Sequence, residues 1–233
     1  MKIAAAQIKS YPNNTNENIK KHLRMIELAA EQNVDLILFP ELSLTGYERE
    51  LANELSFNEN DTRLNIFRDK AIEQNMLIIV GAPITLNSIL HIGSFIFLPN
   101  GSNYIYTKQY LHDGEEQYFS PNNNFNPLIN FHNEKISIAI CADISNSSHP
   151  ANASENKTTL YVASFFYTPN GITKGYELLR SYAKEYSMNV LMANYIGTSY
   201  GIKAAGQSGF WNKEGELIAH LNNIEENLLI VEI

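Results

Sequence analysis

Apolar and polar positions alternate between two periods along this chain. Residues 2–8, "KIAAAQI", form an apolar run of strand length, and Asn14 with Glu17 three positions later marks a helix start. Ile19, Leu23, Ile26 and Ala30 then recur at three-to-four spacing, which predicts a helix over 16–33. "VDLILF" (34–39) reads as a buried strand that breaks at Pro40. The unit repeats: Leu64, Phe67 and Ala71 predict a helix within 60–75, and "MLIIVGA" (76–82) a strand. "LHIGSFIFL" (90–98) and "NYIYTK" (103–108) flank Pro99-Asn100-Gly101, a hairpin pattern. Beyond a polar stretch at 120–127, "KISIAIC" (135–141) and "TLYVAS" (159–164) read as strands, with a short helix after His149-Pro150 between them. Leu178, Leu179, Tyr182, Ala183 and Tyr186 predict a helix over 172–187. Strand "NVLMAN" (189–194) and apolar pieces at 206–211, 215–221 and 227–233 complete the chain. Early strand–helix alternation with later hairpins predicts one α/β domain, residues 1–233, with a mixed sheet. In such sheets the reactive residues gather at strand ends.

Composition narrows the function classes. At 233 residues, 44 % hydrophobic and 18 % charged, the chain has material for one sizeable core. Its net charge of −8 argues against nucleic acid or an anionic membrane as partner, because both require a basic face. No apolar run approaches the ~20 residues of a membrane span, and the N-terminal apolar stretch is too short for a signal peptide. A cytoplasmic location is the expectation. The single cysteine excludes an intramolecular disulfide and leaves no cysteine cluster for zinc.

Three polar residues each end a predicted strand: Glu41 after "LILFP", Lys108 after "YIYT" and Cys141 after "ISIAI". A thiol, a carboxylate and an ammonium are the parts of an acyl-transfer site. The carboxylate takes the thiol proton, the sulfur attacks a carbonyl carbon, and the ammonium stabilises the oxyanion. The lysine also favours the thiolate, whose ordinary pKa is about 8.5. Taken singly, each residue has a plainer reading: core filler for Cys141, a helix or turn cap for Glu41, a solvated edge charge for Lys108.

The segments "LILFPELSLTGY", "YTKQYLHDGEEQYFSP" and "ISIAICADIS" together resemble the carbon–nitrogen hydrolase (nitrilase) superfamily. The resemblance rests on Phe39-Pro40-Glu41 with Gly46-Tyr47, on Lys108, Leu111, Glu115-Glu116 and Tyr118-Phe119, and on Ile140-Cys141-Ala142-Asp143. The opening strand and the "VLMANYIG…GQSGFW…GEL" region extend it over essentially the whole chain. It implies a four-layer α-β-β-α sandwich with two mixed β-sheets, no metal and no organic cofactor, a small amide as substrate, and a homodimer or larger assembly. It also implies Glu41 as general base, Lys108 as stabiliser of the tetrahedral intermediate, Cys141 as nucleophile, and the Ala142 backbone N–H in the oxyanion hole. One of the adjacent Glu115 and Glu116 is expected to assist in the site, with Glu115 preferred and Glu116 the other choice. His112 is a candidate for the pocket lining. Phe165, Phe166 and Tyr167 stand where the family lines its pocket, although a core role for one of them is equally open.

The chain also departs from the commoner family pattern. Ala142 replaces an aromatic after the cysteine, and Ser145 stands where many members carry an arginine two residues past the aspartate. His149 is tempting as a partner for Cys141; directly before Pro150, it reads instead as a loop or helix-start residue. Amide or carbamoyl hydrolysis is favoured over nitrile hydrolysis, since family nitrilases carry a longer C-terminal extension. Acyl transfer to an amine uses the same residues, and a non-catalytic, metabolite- or partner-binding member is the rival of a different class.

Overall fold

The computed structural model describes all residues from Met1 to Ile233. Strand β1 (Lys2–Gln7) is apolar on both faces, with Ile3 and Ala5 in one cluster, Ala4 and Ala6 in another, and all four fully buried. Two-sided burial explains why this strand reads as a continuous apolar run without alternation. Helix α1 (Thr15–Glu31) starts as expected, the Asn14 side chain accepting from the Glu17 N–H. Its buried stripe differs from the predicted one: Asn18, His22, Met25, Ile26 and Ala29 face inward, and two of these are polar.

Strand β2 (Leu36–Leu38) leads through a 3-10 turn at Arg49–Leu51 into α2 (Ala52–Leu55), neither of which the periodicity marked. Helix α3 (Asn65–Glu73), β3 (Leu77–Leu86), β4 (Ile89–Phe97) and β5 (Asn103–Thr107) follow. The β3–β4 turn at Asn87-Ser88 has both residues at positive φ, 49° and 66°, the backbone form that suits a two-residue hairpin. The predicted turn at Pro99–Gly101 joins β4 to β5, which pair antiparallel.

The second half runs β6 (Ile129–Phe131), β7 (Glu134–Ile140), α4 (Ser148–Glu155), β8 (Leu160–Phe165), α5 (Ile172–Glu185) and β9 (Asn189–Asn194). A small hairpin, β10 (Thr198–Ser199) and β11 (Ile202–Lys203), precedes β12 (Gly209–Trp211), β13 (Leu217–His220) and β14 (Asn227–Glu232). Helix α4 begins one residue before His149, so His149 and Pro150 sit in its first turn, where proline is tolerated.

The strands form two six-stranded mixed sheets, ordered β14-β1-β2-β3-β4-β5 and β13-β12-β9-β8-β7-β6. Each has a parallel core, β1-β2-β3 and β7-β8-β9, and antiparallel flanks. One apolar cluster, including Ile3, Leu36, Ile79, Ile138, Val162 and Leu191, fills the space between the sheets. A second lies beneath α1 and α3, and a third beneath α4 and α5. The layers are therefore helix, sheet, sheet, helix, the expected four-layer sandwich. No helix is long and apolar enough to cross a membrane.

This topology gathers the candidate side chains. Strands β2 and β5 run in the same direction, since two antiparallel steps separate β3 from β5. Glu41 and Lys108 therefore leave the same edge of one sheet. Cys141 leaves the end of β7 in the other. Ser164 on β8 donates to the Phe39 carbonyl (2.9 Å) and links the two sheets at this edge.

Candidate active site

The Glu41 segment is held from several sides. Tyr195 O–H donates to the Glu41 carbonyl at 2.7 Å. Gly81 on β3 packs directly beneath it: a Cβ there would stand 2.4 Å from the Pro40 oxygen and 2.6 Å from the Leu42 nitrogen. The polar residues on the buried face of α1 secure the next stretch. His22 Nε2 meets Ser43 Oγ at 2.8 Å, and the Asn18 amide donates to the Leu44 carbonyl at 3.1 Å. Burial drives the His22 pKa down to about 3, so its ring is neutral.

The Glu41 carboxylate is fully buried. Its Oε1 accepts from Lys108 Nζ at 2.7 Å, while Oε2 meets no hydrogen-bond donor of the protein. Lys108 Nζ also donates to both oxygens of Glu115, at 2.9 and 2.8 Å. Glu115 takes two further donors, the Tyr47 hydroxyl and the His112 backbone N–H. One ammonium thus sits between two buried carboxylates of unequal support. Burial raises the pKa of Glu41 to about 7 despite Lys108, and the charge of Glu115 adds to the rise. Glu115 is desolvated too, but its lysine, tyrosine and backbone donors outweigh that and hold it below the ordinary carboxylate value. Burial disfavours the Lys108 ammonium, yet Glu41, Cys141 and Glu115 together overcome that and keep it charged.

Cys141 opens a 3-10 turn, Cys141–Ser145, with φ at +45°. A non-glycine residue in this region carries about 1–3 kcal/mol of strain, which persists only where the surroundings impose it. Burial and then the Glu41 charge push the thiol pKa well above its ordinary value; Lys108 and a hydrogen bond from the Phe166 backbone N–H pull the other way. The resting sulfur is therefore a thiol, held so in part by the charge of Glu41, which itself titrates near neutrality. The Ala142 N–H lies in the first turn, where no intrahelical acceptor exists.

The remaining sequence candidates separate. Glu115 is buried in the cluster, whereas Glu116 is exposed and accepts from the Gly114 N–H, because the short 3-10 turn Glu115–Gln117 aims the two side chains apart. The His112 ring is exposed and bonded to the Asp113 carbonyl; its contribution is its backbone N–H on Glu115. Phe166 stacks on Tyr47 at 4.9 Å and meets Tyr195 edge-on at 5.6 Å. Phe165 takes the core role left open for one of the three aromatics: its ring is fully buried in the cluster under α5, on the face that alternation along β8 assigns it. Tyr167 stacks on Phe165 at 4.4 Å, and its hydroxyl feels the charges of Cys141 and Glu41. Tyr47 and Asp143, whose residue types alone mark no role, also join the site: Tyr47 donates to Glu115, and Asp143 accepts from Tyr106. No group of three His, Cys, Asp or Glu side chains is arranged to hold a metal ion.

The chain has recognisable relatives. The carbon-nitrogen hydrolase family profile matches residues 2–233. A glutamine-dependent NAD(+) synthetase of Thermotoga maritima is 26 % identical over 252 residues, covering 100 % of this chain and 42 % of that protein. A second such synthetase, from Acinetobacter baylyi, is 25 % identical and 44 % covered, so the chain spans less than half the length of both synthetases. A nitrilase of Pyrococcus abyssi is 23 % identical and 89 % covered. Among solved structures, the NitN amidase of Nesterenkonia sp. AN1 superposes with a TM-score of 0.90 at 21 % identity, covering 100 % of this chain and 92 % of that one. A cysteine-to-alanine mutant of the same amidase, in complex with butyramide, gives 0.91 at 21 % identity, with 100 % and 90 % covered. With the profile running from residue 2 to the last, this chain belongs to the carbon–nitrogen hydrolase family.

Proposed function

We propose that this protein hydrolyses the carbon–nitrogen bond of a small amide through a thioester on Cys141. The observation that carries the reading is the buried ammonium of Lys108 shared by Glu41 and Glu115, with one Glu41 oxygen left without a donor. Glu41 takes the thiol proton as the sulfur attacks the amide carbon, and the carbonyl π electrons move to oxygen. The Lys108 ammonium and the Ala142 N–H stabilise that oxyanion. Collapse breaks the C–N bond, and protonated Glu41 returns its proton to the departing nitrogen. Water then adds to the thioester carbon while Glu41 accepts its proton. The sulfur leaves and is reprotonated by Glu41, which releases the carboxylic acid.

A base that titrates at about 7 suits this cycle, because it must accept and donate a proton in each turnover. Glu115, held ionised by its donors, keeps Lys108 charged and in place. Two names among the relatives guide the choice of substrate: butyramide bound to the Nesterenkonia amidase, and glutamine in the synthetases. The test is ammonia release from a panel of short aliphatic amides, glutamine, ureides and nitriles. Turnover of at least one amide that disappears in Cys141→Ala is the expected result. Ligand binding without ammonia release or acyl transfer across the panel would favour the non-catalytic reading instead.

A further inference from the structure

The segment Ser145–Pro150 has no role in the cycle above, and Asp143 connects it to the site. Its Oδ1 accepts from the backbone N–H groups of Gln109 and Tyr110, both at 2.9 Å. Its Oδ2 accepts from the Ile140 N–H at 2.8 Å and from the Tyr106 hydroxyl at 2.6 Å. One buried carboxylate thereby ties the residues immediately after Lys108 to the residue immediately before Cys141. The two strand ends it joins belong to different sheets.

Behind Asp143 the hydrogen bonds form a chain with a single direction. Tyr106 has spent its only proton on Asp143, so its 2.8 Å contact with His149 Nε2 requires that nitrogen to be the donor. Nδ1 of the neutral ring is then an acceptor, and it takes the Tyr161 hydroxyl proton at 2.7 Å. All four side chains are buried, and burial holds His149 below the ordinary histidine pKa. Both ring nitrogens are engaged by tyrosines, so His149 is not a proton acceptor for Cys141. Its Nε2 lies 4.0 Å from Asp143 Oδ2, and the hydrogen bonds that link the two run through Tyr106.

We propose that His149, as the neutral Nε2–H tautomer, is a positioning residue that sets the spacing of Lys108 and Cys141 through Tyr106 and Asp143. This rests on the reading that Lys108 and Cys141 act on one substrate. Tyr106 lies on β5 two residues before Lys108, and Asp143 lies two residues after Cys141. Fixing the pair Tyr106–Asp143 therefore fixes both reactive groups. His149, anchored in the first turn of α4 and on Tyr161 of β8, supplies the rigid end of the chain.

The experiment compares His149→Ala, His149→Gln and Tyr106→Phe with the wild-type protein. Each variant is first freed of unfolded chains by size-exclusion chromatography, since an exposed Cys141 would also react, and the remaining sites are counted by stoichiometric iodoacetamide labelling. Misplacing two groups that must meet the carbon and the oxygen of one substrate carbonyl lowers kcat per labelled site about tenfold or more in His149→Ala and Tyr106→Phe, with KM within about twofold. The glutamine side chain of His149→Gln carries an amide N–H that reaches the Tyr106 oxygen, and this variant keeps most of the rate. A purely structural His149 would lower the melting temperature of these variants and leave kcat per site within about twofold of wild type; that result overturns the proposal. Should the wild-type protein release no ammonia from any amide, the hydrolase reading fails, and the rate of Cys141 alkylation decides the positioning role separately. Equal alkylation rates in wild type and His149→Ala would then end it.

Discussion

Lys108 places its ammonium 2.7 Å from Oε1 of Glu41, with neither side chain reaching solvent. Glu115 approaches the same ammonium from another side at 2.8 Å. A buried charge of this kind is costly unless it is paired and hydrogen-bonded, and Lys108 satisfies that requirement three times over. The carboxylates are not equivalent. Glu115 has a tyrosine and a backbone N–H to itself, whereas Glu41 relies on the lysine alone. This asymmetry sets Glu41 apart as the group able to change protonation state near neutral pH.

The rate should follow that titration. The acid limb of kcat/KM for a hydrolysed amide is expected to have its midpoint at about 7, since protonated Glu41 cannot receive the thiol proton. Initial rates between pH 5 and 9 in constant-ionic-strength buffer measure it. A midpoint near the ordinary carboxylate value of 4.5 would show that another group is the base.

Substituting Glu41→Gln should separate activity from stability. Loss of the proposed general base is expected to cost about 10³-fold in kcat. The fold is expected to survive, because Lys108 keeps both oxygens of Glu115. The folded pKa of Glu41 lies above its unfolded value, so the native state favours the protonated form. Its contribution is fully present below about 4.5 and is lost as pH rises through about 7. Wild type should therefore lose stability relative to Glu41→Gln across that window, on the order of 3 kcal/mol at about 1.4 kcal/mol per pKa unit. Urea unfolding of both proteins at pH 5 and pH 8 reads the difference; a gap that does not change with pH contradicts the raised pKa.

The strained backbone at Cys141 predicts an ordering among inactive variants. Cys141→Ala and Cys141→Gly should both abolish turnover. Glycine adopts the φ of +45° without steric cost, whereas alanine keeps the strain. Cys141→Gly should accordingly melt at the same or a higher temperature than Cys141→Ala, although glycine in an ordinary conformation is the less stable residue. Scanning calorimetry of the pair settles the sign.

Gly81→Ala should damage the site from outside it. The new methyl group would stand 2.4 Å from the Pro40 oxygen, with backbone on the Glu41 side and no flexible side chain able to yield. The Pro40–Leu42 segment must move, and Glu41 moves with it. A loss of about 100-fold in kcat is expected from a displacement of about 1 Å, together with about 1–3 kcal/mol of destabilisation from overpacking. Activity within about threefold of wild type would mean that the segment has room to shift, contrary to its packing.

Much of this protein is legible in the sequence because local burial leaves a local pattern. Continuous apolar runs mark β1, β3, β7, β8 and β9 as strands covered on both faces, and the residues that follow β2, β5 and β7 carry the reactive types. The order Glu41, Lys108, Cys141 is likewise visible in the chain. Tertiary structure alone decided the rest. Lys108 and Glu41 are 67 positions apart, and their 2.7 Å contact depends on the strand order of one sheet, which no periodicity encodes. Glu115 and Glu116 are indistinguishable by type, and the direction of one short turn buries the first and exposes the second. Phe165 reads like its neighbour Phe166, yet the pleat of β8, which ends at Phe165, turns that ring under α5 while Phe166 packs in the cluster between the sheets. His149 reads as a loop or helix-start residue and nothing local marks His22, yet both are buried, because hydrogen-bond partners from distant strands and loops compensate their desolvation.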